Sequence, residues 1–230
     1  MKNRPITTLF MLMSVDGKIS TGETDELDFD QDLPKISGVK EGLHQYYDIE
    51  KTTDLWSLNS GKVMAKIGIN KRKPPISKTP VSFVLIDNYH LQYEGIRYFC
   101  LYAKNVIVVT QNKSHPAFDA KNEYENLNII LQNKLDLSDM FKKLKLFGCN
   151  KITIQTGGTI NGLLLRDKLI DYIDIVVAPV LVGGKNTPTL MDAESITANQ
   201  LSELGILKLK DVSILQSSYI RLQYKVINSK

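Results

Sequence analysis

The chain has 230 residues, 43% of them hydrophobic and 23% charged, which is enough apolar length to bury the core of one large domain, taken here as 1–230. A net charge of +4 without a dense Lys/Arg block argues against nucleic acid as a partner and suits an anionic ligand such as a dinucleotide phosphate. Two cysteines outside any CxxC pair and three scattered histidines argue against a disulfide framework or a metal site, and no run approaches the ~18 apolar residues of a membrane span.

In chain order, Thr7 to Met13 is apolar enough for a buried strand. It lacks the small-residue cleavage site of a signal peptide, so the chain reads as cytoplasmic. Residues 20 to 38 are polar, acidic and Gly-punctuated and read as a long loop. Glu23, Asp25, Glu26 and Asp28 form its solvated face, and one of them reaches a substrate only if the loop closes as a lid. Helical spacing covers Lys40 to Tyr47, Leu91 to Ala103, Ser138 to Leu146 and Ile160 to Leu169. Ser138-Asp139 reads as an N-cap and Gly148 as a stop.

Further strands fall at Val81 to Ile86, Asn105 to Thr110, Asn128 to Leu131, Lys151 to Gln155 and Tyr172 to Ala178. Lys71 to Lys78 is Pro- and Lys-rich and reads as a surface loop. Pro179 reads as a bulge or edge mark within a long strand, because it has no N–H to give a ladder. Lys208 to Gln216 and Tyr219 to Ile227 alternate as an antiparallel pair with one wet face, joined tightly through Ser217-Ser218. Cys100 and Cys149 read as buried free thiols.

Strands alternating with helices predict an α/β fold with a mainly parallel sheet covered on both faces, closed by the antiparallel pair. In such sheets ligands collect at the carboxyl ends of the strands. The polar and Gly-rich residues lie there: Ser14 to Gly17, Asn59-Ser60-Gly61, Asp87, Thr110-Gln111-Asn112 and Thr156-Gly157-Gly158. In the last of these an apolar strand runs into adjacent glycines and then a helix, through Thr159 and Ile160. Bare backbone and an unsatisfied helix N-terminus make this turn suited to a phosphate or pyrophosphate. The alternative is a turn that needs glycine only for its shape.

Four motifs in order resemble the dihydrofolate reductase-like superfamily, and more closely the C-terminal reductase domain of the bifunctional bacterial riboflavin-biosynthesis protein. They are Met13-Ser14-Val15-Asp16-Gly17-Lys18-Ile19-Ser20, Val84-Leu85-Ile86-Asp87, Ile154-Gln155-Thr156-Gly157-Gly158, and the run from Leu163 through Leu169-Ile170-Asp171 to Gly183-Gly184. The resemblance implies an NADPH-dependent reductase. Its riboflavin-pathway substrate would be 5-amino-6-(5-phosphoribosylamino)uracil, with the ribose opened and reduced. It places Thr156, Gly157, Gly158, Thr159 and Ile160 at the cofactor pyrophosphate. Thr110, Asn112 and Lys113 fall near the adenosine 2′-phosphate, where plain loop polarity is the alternative. It also implies a homodimer paired through strand edges.

The resemblance is broken at Thr53 to Met64, where the family's Gly-x-x-Thr is missing. Asp54 is expected at the strand start, and Ser60, Gly61 and Lys62 are expected to fill the cofactor loop. The segment that helps hold the phosphoribosyl substrate is missing too, which leaves the substrate more open than the cofactor. No H-x-E and no P-C-x-x-C is present, so a stand-alone reductase domain without a deaminase half is expected.

Asp16 is the first candidate to contact substrate. Lys18 is an alternative that could polarise a carbonyl or bind phosphate, and an Asp-Gly turn is the plain reading of Asp16. Asp87 either orients cofactor or caps a turn. Trp56, Tyr46 and Tyr47 line either an interface or a pterin-like pocket. Two alternatives stand beside the leading function: a dihydrofolate or pterin reductase, and a non-catalytic nucleotide-binding protein that kept the fold.

Overall fold

The computed structural model describes residues 3–227. The chain divides into two compact units, one of Met1–Ile6 and Asp54–Thr156, the other of Thr7–Thr53 and Gly157–Lys230.

The first unit is a parallel α/β sheet. Its strands are β2 (Trp56–Ser60), β3 (Ser82–Ile86), β4 (Val106–Thr110), β5 (Leu127–Leu131) and β6 (Lys151–Gln155). β2 pairs with β3 and β6, β3 with β4 and β4 with β5, all in parallel. β4 is buried at all five positions, which is why its sequence is a continuous Val/Ile run rather than an alternation.

Four helices connect these strands: α3 (Gly61–Lys66), α4 (Tyr93–Tyr102), α5 (Ala117–Ala120) and α6 (Leu137–Leu146). Ile96, Phe99 and Cys100 of α4 pack with Leu85, Val106 and Val108 into one apolar cluster. Burial of this kind contributes about 1.5–3 kcal/mol per large side chain. The N-cap of α6 is Asp136, whose carboxylate accepts the Asp139 N–H at 2.8 Å, and not Ser138-Asp139. An acceptor three residues before a free N–H satisfies the first turn, and Asp136 holds that place. Gly148 follows the helix at φ +87°, the left-handed stop that glycine permits.

The second unit holds β1 (Ile6–Ser14), α1 (Phe29–Asp32), α2 (Lys40–Glu50), α7 (Gly158–Arg166), β7 (Tyr172–Ala178), β8 (Ile206–Ile214) and β9 (Ile220–Ile227). β1 and β7 are parallel, from Thr8 opposite Tyr172 to Ser14 opposite Ala178, and β7–β9 and β9–β8 are antiparallel. Its core joins Phe10, Leu12 and Val176 to Phe29, Leu33, Leu43 and Tyr46, with Phe10 and Tyr46 stacked at 5.0 Å. Tyr46 is therefore a core residue, and neither of the uses read for it in the sequence applies.

Three expectations are corrected in this unit. The polar segment 20–38 is not one loop: it carries α1, capped by Asp28, and a 3₁₀ turn at Leu33–Lys35, because Phe29 and Leu33 anchor it in the core. Pro179 does not lie inside a strand; β7 stops at Ala178, where the ladder loses its donor. β8 is exposed along nearly its whole length rather than on one face, so neither of its faces is covered; Val212 and Ile214 are 54% and 89% exposed. Among the described residues no helix is long and apolar enough to cross a membrane.

Candidate active site

The carboxyl end of β1 turns at Ser14-Val15-Asp16-Gly17, with Gly17 at φ +79°. The turn carries both residues proposed for the chemistry, and each is engaged with the segment after β7. Asp16 Oδ1 accepts the Val182 N–H at 3.1 Å and Oδ2 accepts the Gly183 N–H at 2.7 Å, while the Ser14 hydroxyl also donates to Oδ1. The Ser14 hydrogen bond, followed by the Gly183 N–H, holds the Asp16 carboxyl down at about 2. Lys18 is buried, and its Nζ donates to Gly184 O at 2.8 Å and Thr187 O at 3.0 Å. A bridge between Lys18 and Thr189 extends this clasp. Asp16 is exposed and remains open to a ligand at its rim, whereas the Lys18 ammonium is turned into the protein.

In the first unit, β2 ends at Ser60 and α3 begins at Gly61. Ser60, Gly61 and Lys62 are thus a strand end and a first helical turn, and not the open loop expected there. Ser60 is buried and Lys62 is exposed at the second position of the helix. A β-carbon on Gly61 would lie 2.3 Å from Asp87 Cβ, so glycine is required for α3 to start against the end of β3.

The Asp87 carboxylate is fully buried. It accepts the N–H groups of His90 at 3.1 Å and Leu91 at 2.9 Å, and the imidazoles of His90 (Nδ1, 2.9 Å) and His115 (Nε2, 3.0 Å). Burial alone would raise its pKa; the bonds from His115, Leu91 and His90 outweigh that and hold it below the ordinary carboxylate value. Asp87 is therefore the cap of its own turn.

Thr110 and Asn112 are likewise tied to a neighbouring turn. Thr110 Oγ1 donates to Asn88 Oδ1 at 3.1 Å, and Asn112 Nδ2 donates to Asn88 O at 2.8 Å. The exposed side chains of that loop are Gln111, Lys113 and Ser114.

The Gly-Gly turn opens α7. Gly157 is the N-cap, half-exposed and extended (φ −75°, ψ 162°), and the first i→i−4 bond runs from the Asn161 N–H to Gly157 O at 3.1 Å. The N–H groups of Gly158, Thr159 and Ile160 precede that bond and have no intrahelical i→i−4 acceptor. Thr156 is buried at the strand end, and Thr159 is exposed. Gly158 itself is buried for another reason: a β-carbon there would lie 2.2 Å from Asp192 Oδ2 and 2.4 Å from Thr189 O. One turn on, a β-carbon on Gly162 would lie 2.9 Å from both the Cβ and the N of Ala193, and Asn161 Nδ2 donates to Leu190 O at 2.9 Å. The pair Gly158 and Gly162 is a groove on α7 filled by residues 189–193. This role was missed in the sequence, although the i, i+4 glycine spacing is legible there. His115, Asn88 and Asp192 were missed as well, and no local pattern marks them.

A parallel α/β unit, and a second unit whose parallel β1–β7 pair is extended by antiparallel C-terminal strands, fit the dihydrofolate reductase-like class of fold that the motifs imply. Within that class, the chain belongs to the family of the RibD C-terminal domain, whose model matches residues 5–219. A 2,5-diamino-6-ribosylamino-4(3H)-pyrimidinone 5′-phosphate reductase of Methanothermobacter thermautotrophicus is 24% identical over 196 residues, 84% of this chain and 86% of that protein. The riboflavin biosynthesis protein RibD of Actinobacillus pleuropneumoniae is 25% identical over 231 residues, 98% of this chain and 58% of its own length. Among solved structures, Acinetobacter baumannii RibD superposes with a TM-score of 0.67 at 18% identity, covering 98% of this chain and 59% of that one. The Saccharomyces cerevisiae riboflavin biosynthesis reductase Rib7 superposes with a TM-score of 0.62 at 17% identity, covering 99% and 92%. These structural likenesses concern the fold. The chain spans less than two thirds of the two RibD proteins.

Proposed function

We propose that this chain is a cytoplasmic, NADPH-dependent reductase of riboflavin-biosynthesis type, acting over its whole length as one catalytic domain. Its substrate class is a ribosylaminopyrimidine 5′-phosphate, either the diamino-pyrimidinone or the deaminated uracil form. The observation that carries this reading is the RibD C-terminal domain match over residues 5–219, supported by a relative of similar length named as such a reductase.

NADPH, when bound, supplies a hydride. The chain's own part is to hold the cofactor, orient the acceptor carbon and exclude water. The N–H groups of Gly158, Thr159 and Ile160, beside Thr156 and Gly157, fit a pyrophosphate. On the first unit, Ser60, Gly61 and Lys62, and the Thr110–Asn112 loop with Lys113, remain candidate cofactor contacts by the family resemblance. Asp16, ionised and exposed at the end of β1, would accept a substrate hydroxyl in this reading; Lys18 shapes the loop behind it through Gly184 and Thr187.

The proposed partner besides the small molecule is a second copy of the chain. The exposed β8 edge, with Leu207, Leu209, Val212 and Ile214, offers a strand for pairing of two copies.

The test is a titration of the purified protein with NADPH and NADH, followed by assay with each of the two pyrimidine phosphates. Selective NADPH binding and oxidation dependent on one of them is the expected result. Failure to bind either nucleotide would overturn the reading.

A further inference from the structure

We propose that His115 is a positioning residue: through Asp87 it fixes the strand-end loops of the first unit in the arrangement that binds the cofactor. The inference rests on the cofactor reading above.

Three chain segments converge on the Asp87 carboxylate. The start of α3 packs on it at Gly61, the turn after β3 donates the His90 and Leu91 N–H groups, and the segment after β4 donates His115 Nε2. The His115 side chain, like that of Asp87, is fully buried. Its Nδ1 accepts the Ala117 N–H at 3.1 Å at the start of α5, so the ring hydrogen belongs on Nε2, where it donates to Asp87. The imidazole is therefore a directed link of fixed length between α5 and the turn after β3.

Asn88 adds a second staple between the same two loops. Its Oδ1 accepts the Gln111 N–H at 2.7 Å and the Thr110 hydroxyl, and its carbonyl accepts Asn112 Nδ2. Stability alone would be served as well by apolar side chains at 87 and 115, since a buried polar pair gains little over well-packed hydrophobics. Hydrogen bonds add direction, which dispersion lacks. What they direct here is the exposed rim of Tyr89, His90, Gln111, Lys113 and Ser114.

The experiment compares the full chain with His115→Phe, which removes the donor, and His115→Gln, whose amide nitrogen can reach the same carboxylate. Steady-state kinetics at varied NADPH are combined with amide hydrogen exchange over 87–92 and 110–117. His115→Phe should raise KM for NADPH about tenfold while kcat at saturation stays within about twofold, as expected when a binding surface is loosened and the reacting atoms are untouched. Exchange in both segments should quicken, and His115→Gln should restore KM and exchange together. An unchanged KM, or a loss confined to kcat, would overturn the proposal. If the wild-type protein does not use NADPH, the cofactor reading fails separately. Exchange then decides: coupled loosening reversed by glutamine keeps the positioning role, and unaltered exchange removes it. Should His115→Phe fail to fold, Asn88→Ala, at a half-exposed position, tests the second staple by the same KM and exchange readouts.

Discussion

Asp16 and Lys18 hold one loop by opposite poles of its peptide groups. The carboxylate takes the N–H groups of Val182 and Gly183, and the ammonium takes the carbonyls of Gly184 and Thr187. Two residues two positions apart thereby order the end of β1 and the segment after β7 as a single rim, and they do so with unequal exposure: Lys18 is consumed, while Asp16 faces outward.

That clasp predicts an acid limit. The folded-state pKa of Asp16 is depressed from 3.8 to about 2, so its stabilisation is fully present above the ordinary carboxylate value and is lost as pH falls through about 2. Proteolytic cleavage within 182–187 by an acid protease should increase between those limits. At neutral pH, Asp16→Asn should lower turnover about tenfold while NADPH affinity changes little, because an amide nitrogen would face a backbone donor. Equal turnover would remove Asp16 from the site.

The adjacent glycines at 157 and 158 should respond differently. Gly158→Ala drives a β-carbon into Asp192 and the Thr189 carbonyl, and overpacking of this kind costs about 1–3 kcal/mol, read as a lowered Tm. Gly157 has an extended backbone that any residue adopts. Gly157→Val should leave the melting temperature near wild type and abolish NADPH binding by blocking the pyrophosphate. An unchanged NADPH affinity would sink the assignment of this turn.

Burial pushes both thiols, Cys100 and Cys149, up to about 12. At pH 8 the native protein should not react with a disulfide reagent, and two thiols should appear on denaturation. Because these acids have raised folded-state pKa values, unfolding gains from their ionisation above pH 9, and stability should fall from there toward pH 12.

The proposed homodimer is tested on β8. Val212→Lys puts a charge on the exposed edge, a device that blocks strand pairing. It should shift a dimer to monomer in analytical ultracentrifugation without altering the melting temperature in proportion. A wild-type protein that is monomeric at micromolar concentration would refute the pairing.

By itself the sequence determined eight of the nine strands among the described residues and their order of appearance; β2 was only implied by the resemblance, because its run Trp56–Ser60 carries Ser57, Asn59 and Ser60 at buried positions. β6 and β7 fall at Lys151–Gln155 and Tyr172–Ala178 as read, because buried parallel strands are continuous apolar runs bounded by polar ends. The family was legible for the same reason, since its motifs lie at those ends. The start of α3 at Gly61 and the short helix in 20–38 were not legible, because local polarity is a poor guide where one or two anchors such as Phe29 and Leu33 reach the core.

Only the tertiary structure decided what the polar residues do. Asp87 and His115 are 28 positions apart, Lys18 and Gly184 are 166, and Gly158 meets Asp192 across a further loop. No periodicity relates such pairs. A buried polar group must find partners wherever the fold brings them, and that placement is a property of the packed chain rather than of any local pattern.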